Sequence, residues 1–206
     1  MNIERINGFT TDANGNIYVV GTVMDAQTGR DFMTAKLDAA LDLKWISYEN
    51  SGGNAHDVAN AVAVDGEGNV YVTGYATTVN GRDFMTVKYN ANGSHQWTAY
   101  HNGAANQHDE GRDIVVDGEG NVFVTGHSNE NGTSDFHTFW LDAADGSVRW
   151  NARFNSVYNR DDRAAVLRLD GQGNLLVTGR TTVLDFESEE GHEVTTVKYR
   201  RTEIIV

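Results

Sequence analysis

The sequence predicts an all-β protein, a β-propeller of four repeats of about 52 residues, each folding into a four-stranded antiparallel blade. Three observations lead to this prediction. The chain repeats itself four times, it is rich in glycine-containing turn sequences, and tryptophans recur at the repeat spacing. Proline is absent, so the turns depend on Gly, Asn and Asp, which tolerate the positive φ of tight hairpins.

An eleven-residue segment marks each repeat. It begins at Thr11, Val64, Val116 and Leu169, and its second and third copies, VDGEGNVYVTG and VDGEGNVFVTG, differ at one position. The hexapeptide GRDFMT follows identically at 29–34 and 81–86, and Trp45, Trp97 and Trp150 keep the same register. These registers predict one propeller domain spanning 1–206, with units of approximately 4–56, 57–108, 109–161 and 162–206.

Each unit is predicted to contain four short strands, which in the second unit lie at about 58–64, 69–76, 83–90 and 94–100. The first strand is rich in alanine, as expected where blades converge on a narrow axis. The second strand is apolar on both faces, as expected for a sheet that is covered by a neighbour on each side. The tryptophans fall on the outermost strand, where they are predicted to fill the widening gap between blades.

The fourth unit departs from the pattern, because it lacks the Asn-Gly turn and the tryptophan of the other copies. Residues 202–206 could supply its last strand and let the chain termini close the ring. The alternative is that four repeats make half of a larger ring, which closes by association through the open blade edge. A longer loop at 182–191, with Asp185 and Glu187, is predicted to be a solvated excursion.

Composition excludes several function classes. The formal net charge of −13 repels phosphate backbones, so we expect no nucleic-acid partner and no attraction to anionic membranes. There is no cysteine, and hence no disulfide, thiolate nucleophile or Cys-containing zinc site. No apolar run is long enough to insert into a membrane, and the first residues lack a signal-peptide pattern.

The repeat pattern is D-x-A-x-A-V-x-V-D-x-x-G-N-V-Y-V-T-G, then D-F-x-T-V-K-Y and N-G-x-x-x-W. It is best seen from Asp57 to Gly74, from Asp83 to Tyr89 and from Asn92 to Trp97. This pattern resembles the bacterial β-propeller repeat called SBBP. The resemblance implies a domain of a secreted or cell-surface bacterial protein, and it implies no shared catalytic residues.

One candidate site is a repeated acid, eight residues before each turn aspartate and predicted to lie near one mouth of the channel. Its members are Glu4, Asp57, Asp109 and Asp162. Either each acid caps its own loop, or the four form a ring that contacts a ligand or a cation. His56 and His108 precede two of these acids, so a transition-metal site is a further alternative.

Two other sets of repeated acids are predicted to be structural. The turn aspartates Asp12, Asp65, Asp117 and Asp170 lie in loops too short for an EF-hand, and their side chains are expected to bond nearby backbone. The set Asp31, Asp83, Asp135 and Glu193 is expected to cap turns or form salt bridges. We therefore expect no cofactor, with calcium bound between blades as the alternative.

The function predicted from these observations is a noncatalytic binding or scaffolding module for a protein, peptide or glycan. No G-x-S-x-G, H-E-x-x-H or P-loop motif occurs in the chain. The first alternative is a propeller lyase or hydrolase that uses His56–Asp57 or His108–Asp109 at the channel mouth. The second is a half-ring unit that self-associates into a larger propeller.

Overall fold

The computed structural model describes residues 1–52, 55–79, 81–103, 107–130, 132–184 and 189–204. These residues form sixteen strands and one helical turn. In chain order they are β1 (Asn2–Thr11), β2 (Ile17–Asp25), β3 (Gly29–Leu37), β4 (Leu43–Glu49), β5 (Ala55–His56), β6 (Val58–Val64), β7 (Val70–Thr78), β8 (Gly81–Tyr89), β9 (His95–His101), β10 (Glu110–Val116), β11 (Val122–Glu130), β12 (Thr133–Leu141), β13 (Val148–Phe154), β14 (Arg163–Leu169), β15 (Leu175–Leu184), β16 (Glu190–Tyr199) and α1 (Arg201–Ile204). None of the described helices is long and apolar enough to span a membrane.

The strands form four antiparallel meanders, which we call blades 1 to 4. Blades 1, 2 and 3 have the orders β1-β2-β3-β4, β6-β7-β8-β9 and β10-β11-β12-β13, and blade 4 has the order β14-β15-β16. The short strand β5 joins β3 in parallel at the junction between blades 1 and 2. The prediction of an all-β chain built from repeated meanders is confirmed.

The predicted strands of the second unit agree closely with β6 to β9. The largest difference is at the hairpin between β7 and β8, where pairing continues to Thr78 and Gly81. Gly81 has a φ of 118°, so the chain reverses within a tighter turn than the sequence suggested.

The blades pack on one another in order through two distinct faces. The front face of a blade carries the residues equivalent to Tyr18, Phe32 and Trp45, and it lies on the next blade. The back face carries the equivalents of Ala59 and Val62, and it lies on the preceding blade. The tryptophans fill the gap as predicted, since the indole N–H groups of Trp45 and Trp97 donate to carbonyls of the following blade at 3.2 and 3.1 Å.

The aspartate turns between the first two strands of each blade are also confirmed. Asp65 accepts hydrogen bonds from the backbone N–H groups of Glu67 and Asn69, both at 2.9 Å, and from the Asn69 side chain at 2.8 Å. The same arrangement recurs in the other three blades. Gly68 has a φ of 81°, which is why glycine occupies this turn position.

The chain ends differently from the prediction. Residues 201–204 form a helical turn rather than a fourth strand, and Ile204 packs into the core between blades 3 and 4. The described part of the chain shows no packing of blade 1 on blade 4 comparable with that between neighbouring blades. The ring is thus not closed within the described residues. Residues 205–206 and the acidic loop residues Asp185 and Glu187 lie outside them.

Candidate functional site

The innermost strands of all four blades line a common cavity of about 730 Å³. Its most prominent feature is the concentration of guanidinium groups. The lining includes Arg5, Arg30, Arg82, Arg112, Arg163 and Arg180, together with the carboxylates Glu4 and Glu110. Six positive and two negative side chains give this lining a formal charge of +4, in a chain whose net charge is −13. We call this cavity the arginine mouth.

A repeated glycine sets the position of the inner strands at the mouth. A Cβ on Gly74 would lie 1.9 Å from the carbonyl oxygen of Val58, and one on Gly126 would lie 1.9 Å from that of Glu110. Gly21 and Gly179 approach the inner strand in the same way. In each blade the inner strand then shifts register by a bulge, as at Ala59 to Ala61. The glycine of the V-T-G motif therefore permits the close strand approach that directs side chains into the mouth.

The residues that line the mouth differ in type from repeat to repeat, whereas the glycines and turn residues that position the strands recur. One position holds Arg5, Val58, Glu110 and Arg163 in the four blades. Another holds Thr22, Tyr75, His127 and Arg180. Sequence reasoning concentrated on acids that recur in every repeat and so missed these arginines. The sequence signal that could identify them is the opposite of a recurring acid. It is a position at which the residue type differs between otherwise similar repeats.

Three of the arginines have carboxylate partners. Arg30 binds Glu4 in a bidentate pair, with Nε and Nη2 at 2.7 and 2.5 Å from the two carboxylate oxygens. Arg112 Nη2 lies 3.2 Å from Glu110, and Arg163 Nη2 lies 3.3 Å from Asp161. These pairs partly neutralise the mouth.

The other three arginines differ, because they form no ion pair with a carboxylate in the part of the chain that the structure describes. Among the described residues, no carboxylate lies within salt-bridge distance of Arg5, Arg82 or Arg180. The Arg82 guanidinium lies over the Tyr75 ring, 4.3 Å from its centroid, which orients the group without neutralising it. Arg180 Nη1 lies 3.4 Å from His192 Nε2.

Neighbouring titratable groups report the positive field of the mouth. Burial, with smaller contributions from the charges of Arg112 and Arg163, lowers the pKa of His127 to about 3. Burial raises the pKa of Tyr75, while the guanidinium of Arg82 acts in the opposite direction by favouring the phenolate. His127 is 5% exposed, and its Nδ1 has no hydrogen-bond partner in the described part of the chain.

Among the repeated acids predicted to contact a ligand, Glu4 lines the mouth and the other three are buried. Asp57 accepts hydrogen bonds from the backbone of Ser51 at 2.7 Å and of Thr77 at 3.0 Å. Asp109 and Asp162 bind the equivalent backbone groups, at distances of 2.6 to 3.2 Å. Each therefore joins the connection that enters its blade to the second strand. Burial raises the pKa of Asp57.

The two histidines that precede these acids are exposed at the junctions between blades. His56 lies in β5 and pairs with Arg30, and His108 forms a single parallel bridge with Arg82. No hydrogen bond joins either imidazole to the following aspartate among the described residues. The described part of the chain also contains no group of three or more His, Asp or Glu residues able to hold a metal ion.

Three members of the third set of acids, Asp31, Asp83 and Asp135, make the contacts predicted for the set. Asp31 accepts hydrogen bonds from Thr28 Oγ1 and Asn50 Nδ2, both at 2.6 Å. Asp83 accepts one from Thr78 Oγ1 at 2.9 Å, and Asp135 pairs with Arg153. Their role is to hold the turn that leads into the third strand, while Glu193 is exposed.

Comparison with known families gives two matches, and each spans a junction between neighbouring blades. Residues 44–80 and 96–132 match the family model described as a beta-propeller repeat, SBBP. Each of these two stretches is similar to one SBBP repeat. Each runs from the outermost strand of one blade through the second strand of the next, and so includes the buried aspartate that joins them. The SBBP resemblance inferred from the sequence is therefore confirmed, and no curated protein matches the chain.

Solved structures resemble the fold at low sequence identity. The match to BamB from Moraxella catarrhalis has 14% identity and a TM-score of 0.49, and covers 97% of this chain and 50% of that one. The match to the K499G mutant of NanB sialidase from Streptococcus pneumoniae has 10% identity and a TM-score of 0.56, and covers 94% of this chain and 30% of that one. The chain thus spans no more than half of these proteins, and the likeness to NanB shows the fold alone.

Proposed function

We propose that this chain is a noncatalytic binding module that holds an oxyanion-bearing ligand in the arginine mouth. The observation that carries the proposal is that three arginines around one cavity of a strongly acidic chain, Arg5, Arg82 and Arg180, have no carboxylate partner among the described residues. An excess of guanidinium groups in a small cavity is electrostatically unfavourable, and a bound anion relieves that repulsion.

The chemistry of arginine defines the ligand class. A guanidinium presents a planar fork of donors that matches a carboxylate, phosphate or sulfate group through two parallel hydrogen bonds. Asn7, Asn60 and Tyr75 add polar and aromatic surface to the same lining, which suits a sugar or peptide that carries the acidic group.

The charge of the whole chain restricts the size of the charged part of the ligand. A polyanion such as nucleic acid would meet the repulsion of a surface with a net charge of −13, whereas a single acidic group meets the local charge of the mouth. We therefore place a carboxylated or otherwise acidic glycan or peptide in the mouth. The SBBP repeats support placing this ligand outside the cell, with the chain acting as a domain of an exported protein.

A binding role is favoured over catalysis by the state of the titratable groups. The two carboxylate oxygens of Asp57 already accept hydrogen bonds from the Ser51 and Thr77 backbone, so this residue is not poised as a base for His56. His127, which feels the arginine charges, stays neutral at pH 7 because burial keeps its pKa at about 3.

Calorimetric titration with glucuronate, glucose and inorganic phosphate tests the proposal. Glucuronate and glucose share the sugar ring and differ in the carboxylate, so we expect glucuronate or phosphate to bind and glucose not to bind. The triple variant Arg5→Gln, Arg82→Gln, Arg180→Gln should weaken binding at least tenfold, and added salt should weaken binding to the natural chain.

Arg149→Gln provides the matched control, because Arg149 pairs with Asp142 on an outer turn far from the mouth. This variant should bind as the natural chain does. The proposal fails if neither anion binds, or if the triple variant binds them as tightly as the control.

A further inference from the structure

We infer that the open back face of blade 1 is the docking surface for the open front face of blade 4 in a second copy of this chain. Two chains joined in this way twice, around a two-fold axis, form a closed ring. The inference goes beyond the proposed function, because it concerns faces that do not line the arginine mouth.

The back face of blade 1 is an apolar surface without a neighbour. Phe9 is 72% exposed and Ile6 is 50% exposed. Their equivalents in blade 2, Val62 and Ala59, are buried beneath blade 1. These positions are apolar in both blades, so Ile6 and Phe9 are exposed because no other blade of the described residues covers them.

The front face of blade 4 is uncovered as well, because no other blade of the described residues lies on it. Val194 is 81% exposed, and Leu176, which pairs with Lys198 further along the same hairpin, is half-buried. The residues equivalent to Val194 in the other blades are Phe32, Phe84 and Phe136, and all three are fully buried against the following blade.

The sizes of the side chains on the two open faces match each other. In the interface between blades 1 and 2, a large front face with Tyr18 and Phe32 packs on a small back face with Ala59 and Val62. At the open ends the relation is reversed, because the front face carries the smaller Leu176 and Val194 while the back face carries the larger Ile6 and Phe9.

The length of the phenylalanine on the front face shows where the interface between open faces needs extra volume. The Phe136 ring tip lies 2.7 Å from where a Cβ on Gly179 of the next blade would be, so the ring fills the space above that glycine. Val194 is too short to fill the corresponding space above a partner's glycine. Ile6 pairs with the equivalent glycine of blade 1, Gly21, and stands where blade 2 has Ala59, so its extra volume supplies the missing contact.

A second copy therefore suits these faces better than a further blade of the common type. An added blade with a Tyr, Phe and Trp front face would overfill the back face that already carries Ile6 and Phe9. The two faces of one chain do not meet each other in the described residues, so they remain free to meet those of another chain.

The test is the mass of the natural chain in solution, measured by sedimentation equilibrium and by light scattering. We expect twice the chain mass of 22.6 kDa. Phe9→Asp and Val194→Lys should each give a folded monomer, because a charge on either face is buried without a partner in the dimer. Val157→Asp, at a 94% exposed position in the connection after β13, should leave the dimer intact.

The double variant Phe9→Asp, Val194→Lys separates a specific contact from general loss of apolar surface. In the dimer the aspartates and the lysines lie in the same interface and carry opposite charges, so we expect the dimer to return at least in part. A monomeric natural chain, open-ended oligomers, or equal dissociation by Val157→Asp would overturn the inference. Anion binding by the monomeric variants, measured as above, distinguishes this failure from failure of the proposed function.

Discussion

At the scale of single residues, the buried aspartates Asp57, Asp109 and Asp162 show how one side chain joins two blades. The Asp109 carboxylate accepts hydrogen bonds from Gly103 N and Asn129 N, and its own N–H donates to Arg82 O of the preceding blade at 2.7 Å. A buried carboxylate in this position satisfies backbone donors that no other group reaches. Repetition of an acid in every repeat thus reflects the backbone that it binds.

Asp109→Ala should destabilise the fold, because it leaves buried N–H donors without an acceptor. We expect the free energy of unfolding to fall by about 2–3 kcal/mol in urea titrations, the usual cost of such orphaned groups. Asp42→Ala, at an exposed turn position whose side chain has no hydrogen bond in the described part of the chain, is the control and should change stability by less than about 0.5 kcal/mol. Equal effects of the two substitutions would contradict the joining role.

At the scale of strands, the recurring V-T-G sequence brings the inner strand against its neighbour. The carbonyl oxygen of Val58 occupies the space that any side chain at position 74 would need. The same contact in every blade places the following residues of the inner strand around the axis. This is how a structural repeat creates a mouth whose side chains differ from blade to blade.

Gly74→Ala should cost about 3 kcal/mol or more of folding free energy, since the new methyl group meets backbone that cannot move without breaking strand pairing. Gly66→Ala is the matched control within the same blade, because a Cβ there has no atom within 4 Å. Thermal unfolding of both variants measures the difference. Comparable melting temperatures would show that the inner strand relaxes easily.

At the scale of the whole molecule, the histidines of blades 2 and 3 link blade packing to pH. Burial lowers the pKa of His101 and of His137 to about 4, and that of His127 to about 3. His101 and His137 stack on opposite sides of the blade junction against Phe139, with ring centroids 4.6 and 4.1 Å away. All three imidazoles are neutral in the folded chain near pH 7.

Stability should therefore decline as pH falls below 6.5. The unfolded chain binds protons at the ordinary histidine pKa, while the folded chain resists protonation until its lower pKa is reached, so the stabilising contribution is complete above pH 6.5 and is lost below it. Each histidine contributes a slope of up to about 1.4 kcal/mol per pH unit. Urea unfolding between pH 6.5 and 5.5 measures this slope above the range of most carboxylates.

His127→Tyr, which introduces the residue of the equivalent position in blade 2, should reduce that slope by up to about a third. His108→Gln, at an exposed position, should leave it unchanged. If the free energy of unfolding changes with pH by the same slope in the natural chain, His127→Tyr and His108→Gln, then His127 is accessible to protons in the folded chain.

Most of the scaffold follows from the sequence because its signals are local and occur several times. The turn aspartates, the glycine of positive φ beside them and the spacing of Trp45, Trp97 and Trp150 each predicted a feature that the structure contains. The end of the chain was predicted less well. Residues 202–206 were predicted to supply a last strand, but residues 201–204 form a helical turn that buries Ile204 against the core of blades 3 and 4.

The sequence by itself determined the repeat, the blade and the resemblance of two stretches to the SBBP repeat, since hairpin turns and alternating burial depend on residues close together in the chain. Only the tertiary structure decided which side chains share the axis. Arg5, Arg82 and Arg180 are far apart in sequence, and none of their positions holds arginine in all four repeats, so their convergence depends on how four blades pack around one centre. The open faces of blades 1 and 4 were decided at the same level, because a face is exposed or covered according to its neighbour and not its composition.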